Sequence, residues 1–292
     1  MFSGLYTAMV TPFTRGTIDY DAVKKIIETQ IHAGVDGIVP MGTTGESPTV
    51  SFDEHKEFVK EVVSMVHGRI KVIAGTGSNS TEEAICLSRS AENNGVDALL
   101  LVNPYYNKPT QKGLIAHFEA IASSVSIPIV LYNIPGRTGV NFLPESICEL
   151  LQRVTNIAAI KEATGDIAQM MRVIELCGDR LTLLSGDDNL LLPVLGIGGK
   201  GVISVLSNLI PADIKNIITL YNENKIDECR KAFYRLLPLC RAMFLETNPI
   251  PVKAGMELLG FCSAEMRLPM TQLSDENRSI LLKTLTDYGI SL

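Results

Sequence analysis

Eight short apolar runs, each followed by a stretch of helical period, constrain this chain more than any other feature. They cover residues 4–13, 34–42, 70–77, 96–104, 127–135, 156–165, 181–188 and 201–208. All are rich in Val, Ile and Leu and lack clean alternation, as expected of strands buried on both faces of a parallel sheet. Between them, residues 21–32 place Val23, Ile26, Ile27 and Ile31 on one helical face, and 53–67 and 81–93 are helical in the same way. Thr81 is the expected N-cap of the last of these. Strand and helix in alternation make parallel βαβ units, and eight such units close into a barrel. An internal echo supports this, AGVDGIV (33–39) against NGVDALL (94–100), each with a glycine suited to a left-handed helix end before a strand. The competing architecture is an open doubly wound sheet, which the absence of an antiparallel edge disfavours. The expected fold is therefore α/β, a (β/α)8 TIM barrel.

After residue 208 the strand signal stops. Helices are expected over 214–222, 226–245, 251–259 and 276–288, the first closing the barrel. This divides the chain into a barrel over 1–224 and a C-terminal helical extension over 225–292.

Charge and composition exclude several classes. The 292 residues carry 32 Asp and Glu against 26 Lys and Arg, and no basic cluster exceeds a pair. Neither nucleic acid nor an anionic membrane is an expected partner. The start, MFSGLYTAMVTPF, lacks the basic and unbroken apolar regions of a signal peptide, and no run reaches the ~18 apolar residues of a membrane helix. Six scattered cysteines without a CxxC pair read as buried small hydrophobes in a reducing compartment. Four histidines without HxxxH or HxH spacing offer no zinc site. A cytoplasmic protein with neither metal nor cofactor is expected.

In such barrels the chemistry sits at the C-terminal ends of the strands. Those ends here are rich in hydroxyls, hold one lysine, and contain no histidine or cysteine, which favours amine or carboxyl chemistry over hydrolytic triads and thiols. Lys24, Lys25, Lys56 and Lys60 lie on helices, Lys71 and Lys200 precede strands, and Lys108 is in a polar loop. Lys161 alone follows an apolar strand, where desolvation lowers an amine's pKa and frees it to attack a carbonyl. The bland alternative is a structural ion pair with Glu162 or Asp187. Tyr132 ends the preceding strand and can move protons in the same volume; otherwise it is an ordinary core tyrosine. Gly42-Thr43-Thr44-Gly45 offers N–H groups and two hydroxyls to a carboxylate, or is simply a glycine-bounded turn. Arg137 can grip a second carboxylate bidentately, with Arg15 as its competitor. The stretch 196–201 fits GxGxxG on paper, but it leads into a strand instead of out of one, so it reads as a hinge and not as a dinucleotide site.

These residues fall in a recognisable series: GTTGE (42–46), NPYYNKP (103–109), YNIPGRTG (132–139), IKEATG (160–165), LLSGDD (183–188) and GVISV (201–205). Over essentially its whole length the chain resembles the dihydrodipicolinate synthase family, within the class I aldolase and N-acetylneuraminate lyase superfamily. The resemblance implies condensation of pyruvate with L-aspartate 4-semialdehyde on the diaminopimelate route to lysine. It implies that Lys161 is the Schiff-base lysine, that Tyr132 is the proton donor and acceptor, and that Thr43 and Tyr106 complete a proton relay. Tyr106 would reach in from a neighbouring subunit of a homotetramer. Thr44, the backbone of Ile203, and Gly186 would bind substrate, and Arg137 would receive the semialdehyde's carboxylate. Gly136 stands where some members have serine. Ser47, His55, Asn79, Glu83 and Tyr105 resemble positions that bind L-lysine in feedback-sensitive members. Phe52 stands where such members carry histidine or tryptophan, so weakened inhibition is expected. N-acetylneuraminate lyase, the 2-keto-3-deoxy sugar-acid aldolases and a non-catalytic 2-oxo-acid sensor remain as alternatives. Arg137 with the Tyr105-Tyr106 pair argues against the sister lyases.

Overall fold

In the computed structural model, which describes residues 2–291, eight parallel strands close on themselves. They are β1 (Gly4–Ala8), β2 (Gly37–Val39), β3 (Lys71–Gly75), β4 (Ala98–Val102), β5 (Ile129–Asn133), β6 (Ile157–Glu162), β7 (Thr182–Ser185) and β8 (Gly201–Ser204). Each lies within one of the eight apolar runs. β1 pairs with both β2 and β8, so the sheet has no edge to protect. The TIM barrel expected from the alternating pattern is the fold observed.

The intervening helices are α1 (Tyr20–His32), α2 (Phe52–Val66), α3 (Thr81–Asn93), α4 (Gln111–Ala122), α5 (Pro144–Arg153), α6 (Ile167–Cys177), α7 (Leu191–Gly196) and α8 (Pro211–Asn222). The cap of α3 corrects one expectation. Ser80, in extended conformation, is the N-cap and accepts from the Glu83 N–H at 3.4 Å, whereas the Thr81 hydroxyl meets His117 Nδ1 at 2.9 Å. Two hydroxyl residues in succession leave the sequence unable to choose between them. A hairpin of Phe13–Thr14 and Thr17–Ile18 inside the first βα loop is also invisible to pattern, because two residues per strand carry no periodicity.

The glycine-rich stretch leads directly into β8, with Gly198 at a φ of +105°. At Gly201 φ is +152°, and a Cβ would collide with the carbonyl oxygen of Gly4 across the β1–β8 seam.

Buried side chains form two layers. The outer layer lies between strands and helices. The inner one fills the barrel with Tyr6, Val39, Ile73, Leu100, Val130, Tyr132, Ala159, Leu184 and Ile203. Alternation along each strand fixes the assignment. On β5, Val130 and Tyr132 belong to the inner layer, while Ile129 and Leu131 belong to the outer. On β6, Ala159 is inner and Ile160 outer, so Lys161 points inward and Glu162 outward.

Beyond α8 come α9 (Ile226–Ala242), α10 (Ile250–Leu258) and α11 (Asp275–Tyr288). The segment between α10 and α11 holds the top of the barrel by polar contacts. Arg267 grips Glu54, at the start of α2, with two bonds of 2.7 and 2.9 Å, and Glu265 accepts the backbone N–H groups of Arg15 and Gly16 at the hairpin tip. The Arg267 guanidinium holds the Glu54 carboxyl down to about 2. No helix among the described residues is long and apolar enough to cross a membrane.

Candidate active site

Lys161 is the penultimate residue of β6 with its side chain in the barrel, and Tyr132, penultimate on β5, lies directly opposite it in the strand register. Both are 5% exposed, and the Lys161 Nζ lies 4.3 Å from the centroid of the Tyr132 ring. Burial pushes the lysine down from 10.5 to about 8; the carboxylates of Asp187 and Asp188 oppose the fall, and Arg137 adds to it. That shift disfavours the charged amine by ~3 kcal/mol. Since the folded pKa is the lower one, the penalty is present at neutral pH and relieved as pH rises from about 8 to 10.5. Burial pushes the Tyr132 phenol up to about 12, an effect that Arg137 and a hydrogen bond with Thr43 oppose. The pair is an amine able to shed its proton beside a phenol that keeps its own.

The structural alternative for Lys161 does not form: the amine makes no ion pair among the described residues. Glu162 faces the other side of the sheet, accepting from Asn133 Nδ2 at 3.2 Å and from the Thr164 N–H at 3.0 Å. Asp188 is likewise engaged, accepting the N–H groups of Val205 and Leu206 at 3.0 and 2.9 Å.

Thr43, Thr44 and Gly45 form one tight turn after β2, with the Gly45 N–H on the Gly42 carbonyl at 3.0 Å. The buried Thr44 hydroxyl accepts from Asn248 Nδ2 at 3.1 Å. Arg137, exposed on the loop after β5, donates from Nη2 to the Asn248 carbonyl at 3.0 Å. Ile203 lies in the inner layer on β8. Gly186 donates to the Glu162 carbonyl at 2.7 Å, so close that a Cβ would run 2.5 Å from that of Ala163. Arg15 sits at the hairpin tip, its backbone N–H on Glu265.

Tyr106 is not brought to this site. It stands 89% exposed at a φ of +73°.

Of the five residues expected to form a second site, Ser47, His55, Glu83 and Tyr105 line a cavity of about 420 Å³ together with Phe52. Thr43, Ile134 and Arg137 line the same cavity, so two residues of the first set, Thr43 and Arg137, open onto the space of the second. Asn79 borders it through a 3.1 Å bond from its Nδ2 to the Tyr105 carbonyl. Burial holds His55 below the ordinary histidine value, and its Nε2 is 2.7 Å from the Gly75 carbonyl oxygen. A carbonyl can only accept, so Nε2 carries the proton and Nδ1 is left as an acceptor.

Two groups escape the sequence reading. Asn248, just before α10, touches both Thr44 and Arg137 from more than 100 residues away. Lys253, fully buried on α10, pairs with the buried Glu46 at 2.6 Å. A lysine inside the apolar helix 250–258 is the signal that could have flagged it.

Comparison with known proteins agrees across the whole chain. A model of the dihydrodipicolinate synthetase family matches residues 1–288. A curated 4-hydroxy-tetrahydrodipicolinate synthase of Leptospira biflexa is 57% identical over 285 residues, which is 98% of this chain and 97% of that protein. The crystal structure of dihydrodipicolinate synthase from Aquifex aeolicus superposes with a TM-score of 0.98 at 44% identity, covering 100% of this chain and 99% of that one. The enzyme of Cyanidioschyzon merolae, solved with lysine bound, gives 0.96 at 40% identity over 99% of each chain.

The depressed lysine has a direct consequence. Reductive trapping of Lys161 by a small aldehyde should rise with a midpoint near about 8, well below the ~10.4 of an exposed lysine. Peptide mapping by mass spectrometry across a pH series reads it; a midpoint above ~10 would mean the amine is not desolvated.

Proposed function

The chain belongs to the dihydrodipicolinate synthetase family, and on that premise we propose that it condenses pyruvate with L-aspartate 4-semialdehyde through an imine on Lys161. It is an enzyme of the carbon–carbon lyase type, related to curated enzymes of lysine biosynthesis. The observation that carries the reading is the unpaired, desolvated Lys161 amine facing Tyr132.

The amine adds to the 2-carbonyl of pyruvate, and the carbinolamine loses its hydroxyl as water, with Tyr132 supplying the proton. Removal of a proton from C3 gives an enamine, whose C3 forms the new bond to the aldehyde carbon. The semialdehyde's own amine then displaces Lys161 from the imine, which closes the ring and frees the lysine. Thr43, hydrogen-bonded to Tyr132, passes protons onward. Thr44, Gly186 and the backbone around Ile203 hold the pyruvate carboxylate and keto group. Arg137 meets the semialdehyde's carboxylate; its contact to the Asn248 carbonyl uses only one of its nitrogens.

Tyr106 completes the relay from a neighbouring copy in a homotetramer. Its exposed ring and left-handed backbone support this, since a conformation that costs energy persists where something else rewards it.

A second reading concerns regulation by L-lysine. The cavity beside the active site offers the Glu83 carboxylate for an ammonium, a neutral His55 acceptor, and Phe52 against an aliphatic stem. Phe52 lacks a polar edge, so inhibition is weak.

Four experiments test these proposals. Pyruvate and semialdehyde should turn over in a coupled assay, and borohydride with pyruvate should place the adduct on Lys161. Arg137→Ala should lower kcat/KM for the semialdehyde about tenfold to a thousandfold while pyruvate trapping survives; an equal loss of trapping would put Arg137 in the pyruvate site. Tyr106→Phe should lose activity with its melting point unchanged, and full activity from a monomer in sedimentation would remove the relay across subunits. Lysine should inhibit partially at high concentration, and Phe52→His should sharpen the response. Initial rates that stay flat across lysine concentrations would end the regulatory reading.

A further inference from the structure

We propose that Glu46 and Lys253 are a positioning pair for the pyruvate cradle, a buried ionic tether by which α10 fixes where Thr44 stands. The inference rests on the pyruvate reading given above.

Glu46 is the pivot of its loop. It sits at φ +56° between the turns Thr43–Gly45 and Ser47–Thr49. Its N–H donates to the Thr43 carbonyl at 3.1 Å, and its carbonyl accepts the Thr49 N–H at 3.1 Å. A non-glycine residue in the left-handed region persists only where its surroundings over-determine it. Here the side chain does so. One carboxylate oxygen accepts from Lys253 Nζ at 2.6 Å and the other from the Arg267 N–H at 3.2 Å. Lys253 is fully buried, donates a second bond to the Glu265 carbonyl at 2.6 Å, and stands 4.4 Å from the centroid of Phe13. Two hydrogen bonds and a ring face thus hold the ammonium.

Stability alone does not call for such a pair. Apolar side chains of similar volume often fill the same space as well or better. An ion pair with defined acceptors adds direction: it specifies where a carboxylate must be, and with it the backbone that carries Thr43 and Thr44. The residue two before that helix reaches the cradle twice more, Asn248 touching the Thr44 hydroxyl and Arg137. Two buried lysines thus divide the work. Lys161, without an ion-pair partner, is the nucleophile; the Lys253 amine, which burial pushes below the ordinary lysine value and Glu46 holds up, is tied to that carboxylate and to the Glu265 carbonyl and stands outside the barrel's inner layer.

The test separates positioning from folding. In Lys253→Met, kcat/KM for pyruvate should fall about tenfold to a hundredfold, the usual scale for a misplaced binding group. The value for the semialdehyde, per borohydride-trapped site, should stay within about threefold. The neutral double variant E46Q/K253M buries no unpaired charge, so its melting temperature should recover, yet the pyruvate defect should persist. If both specificity constants fall in parallel, or if the double variant regains wild-type kcat/KM for pyruvate, the pair is merely structural and the proposal fails. Should Lys253→Met not fold, the double variant reads the same split by itself. Wild-type turnover in the same assay tests the pyruvate reading independently.

Discussion

A side chain on a strand of a closed barrel has two directions open to it, and everything at this site follows from which one it takes. Period-two alternation sends Val130 and Tyr132 inward on β5 and Ala159 inward on β6. Lys161 is two residues beyond Ala159 and has no choice but to follow. The strand register sets Tyr132 beside it. Backbone pairing therefore decides the meeting of amine and phenol before any specific contact does. A slip of one residue in β6 would exchange Lys161 for Glu162 and turn the site from a nucleophile into an acid.

The barrel can carry the resulting desolvation. Holding the amine where its charged form is disfavoured costs ~3 kcal/mol, comparable with the burial of one or two large apolar side chains. The inner layer alone contains several of that size. The carboxylates of Asp187 and Asp188 temper the shift without closing on the amine, which is why it is lowered to about 8 and no further. An ion pair would have occupied the amine, as Glu46 occupies that of Lys253.

The parts legible in the sequence are those encoded locally. Each strand announces itself by an unbroken apolar run, and the position of Lys161 at the end of one separates it from lysines on helices and strand entries. Gly34 and Gly95 take the left-handed conformation that their place after a helix suggests. What stays hidden is encoded across distance or between equals. Asn248 and Lys253 matter through partners about two hundred residues away, and no periodicity links them to Thr44 or Glu46. Ser80 and Thr81 are equally good caps until backbone geometry separates them. Tyr106 carries a motif but finds no partner within its own chain's site. Nor does the sequence show that Thr43 and Arg137 open onto the cavity lined by Ser47, His55 and Glu83.

That shared cavity makes its two ends thermodynamically inseparable. Thr43 and Ser47 sit four residues apart on one loop, and both line the same space. A molecule that settles against Ser47 and His55 touches the same loop that presents Thr43. Linkage then runs in both directions by the same factor: whatever an occupant there does to binding at the Thr43 end, binding at the Thr43 end does to the occupant. Whichever sign that coupling takes, it needs no further device than one loop with two faces.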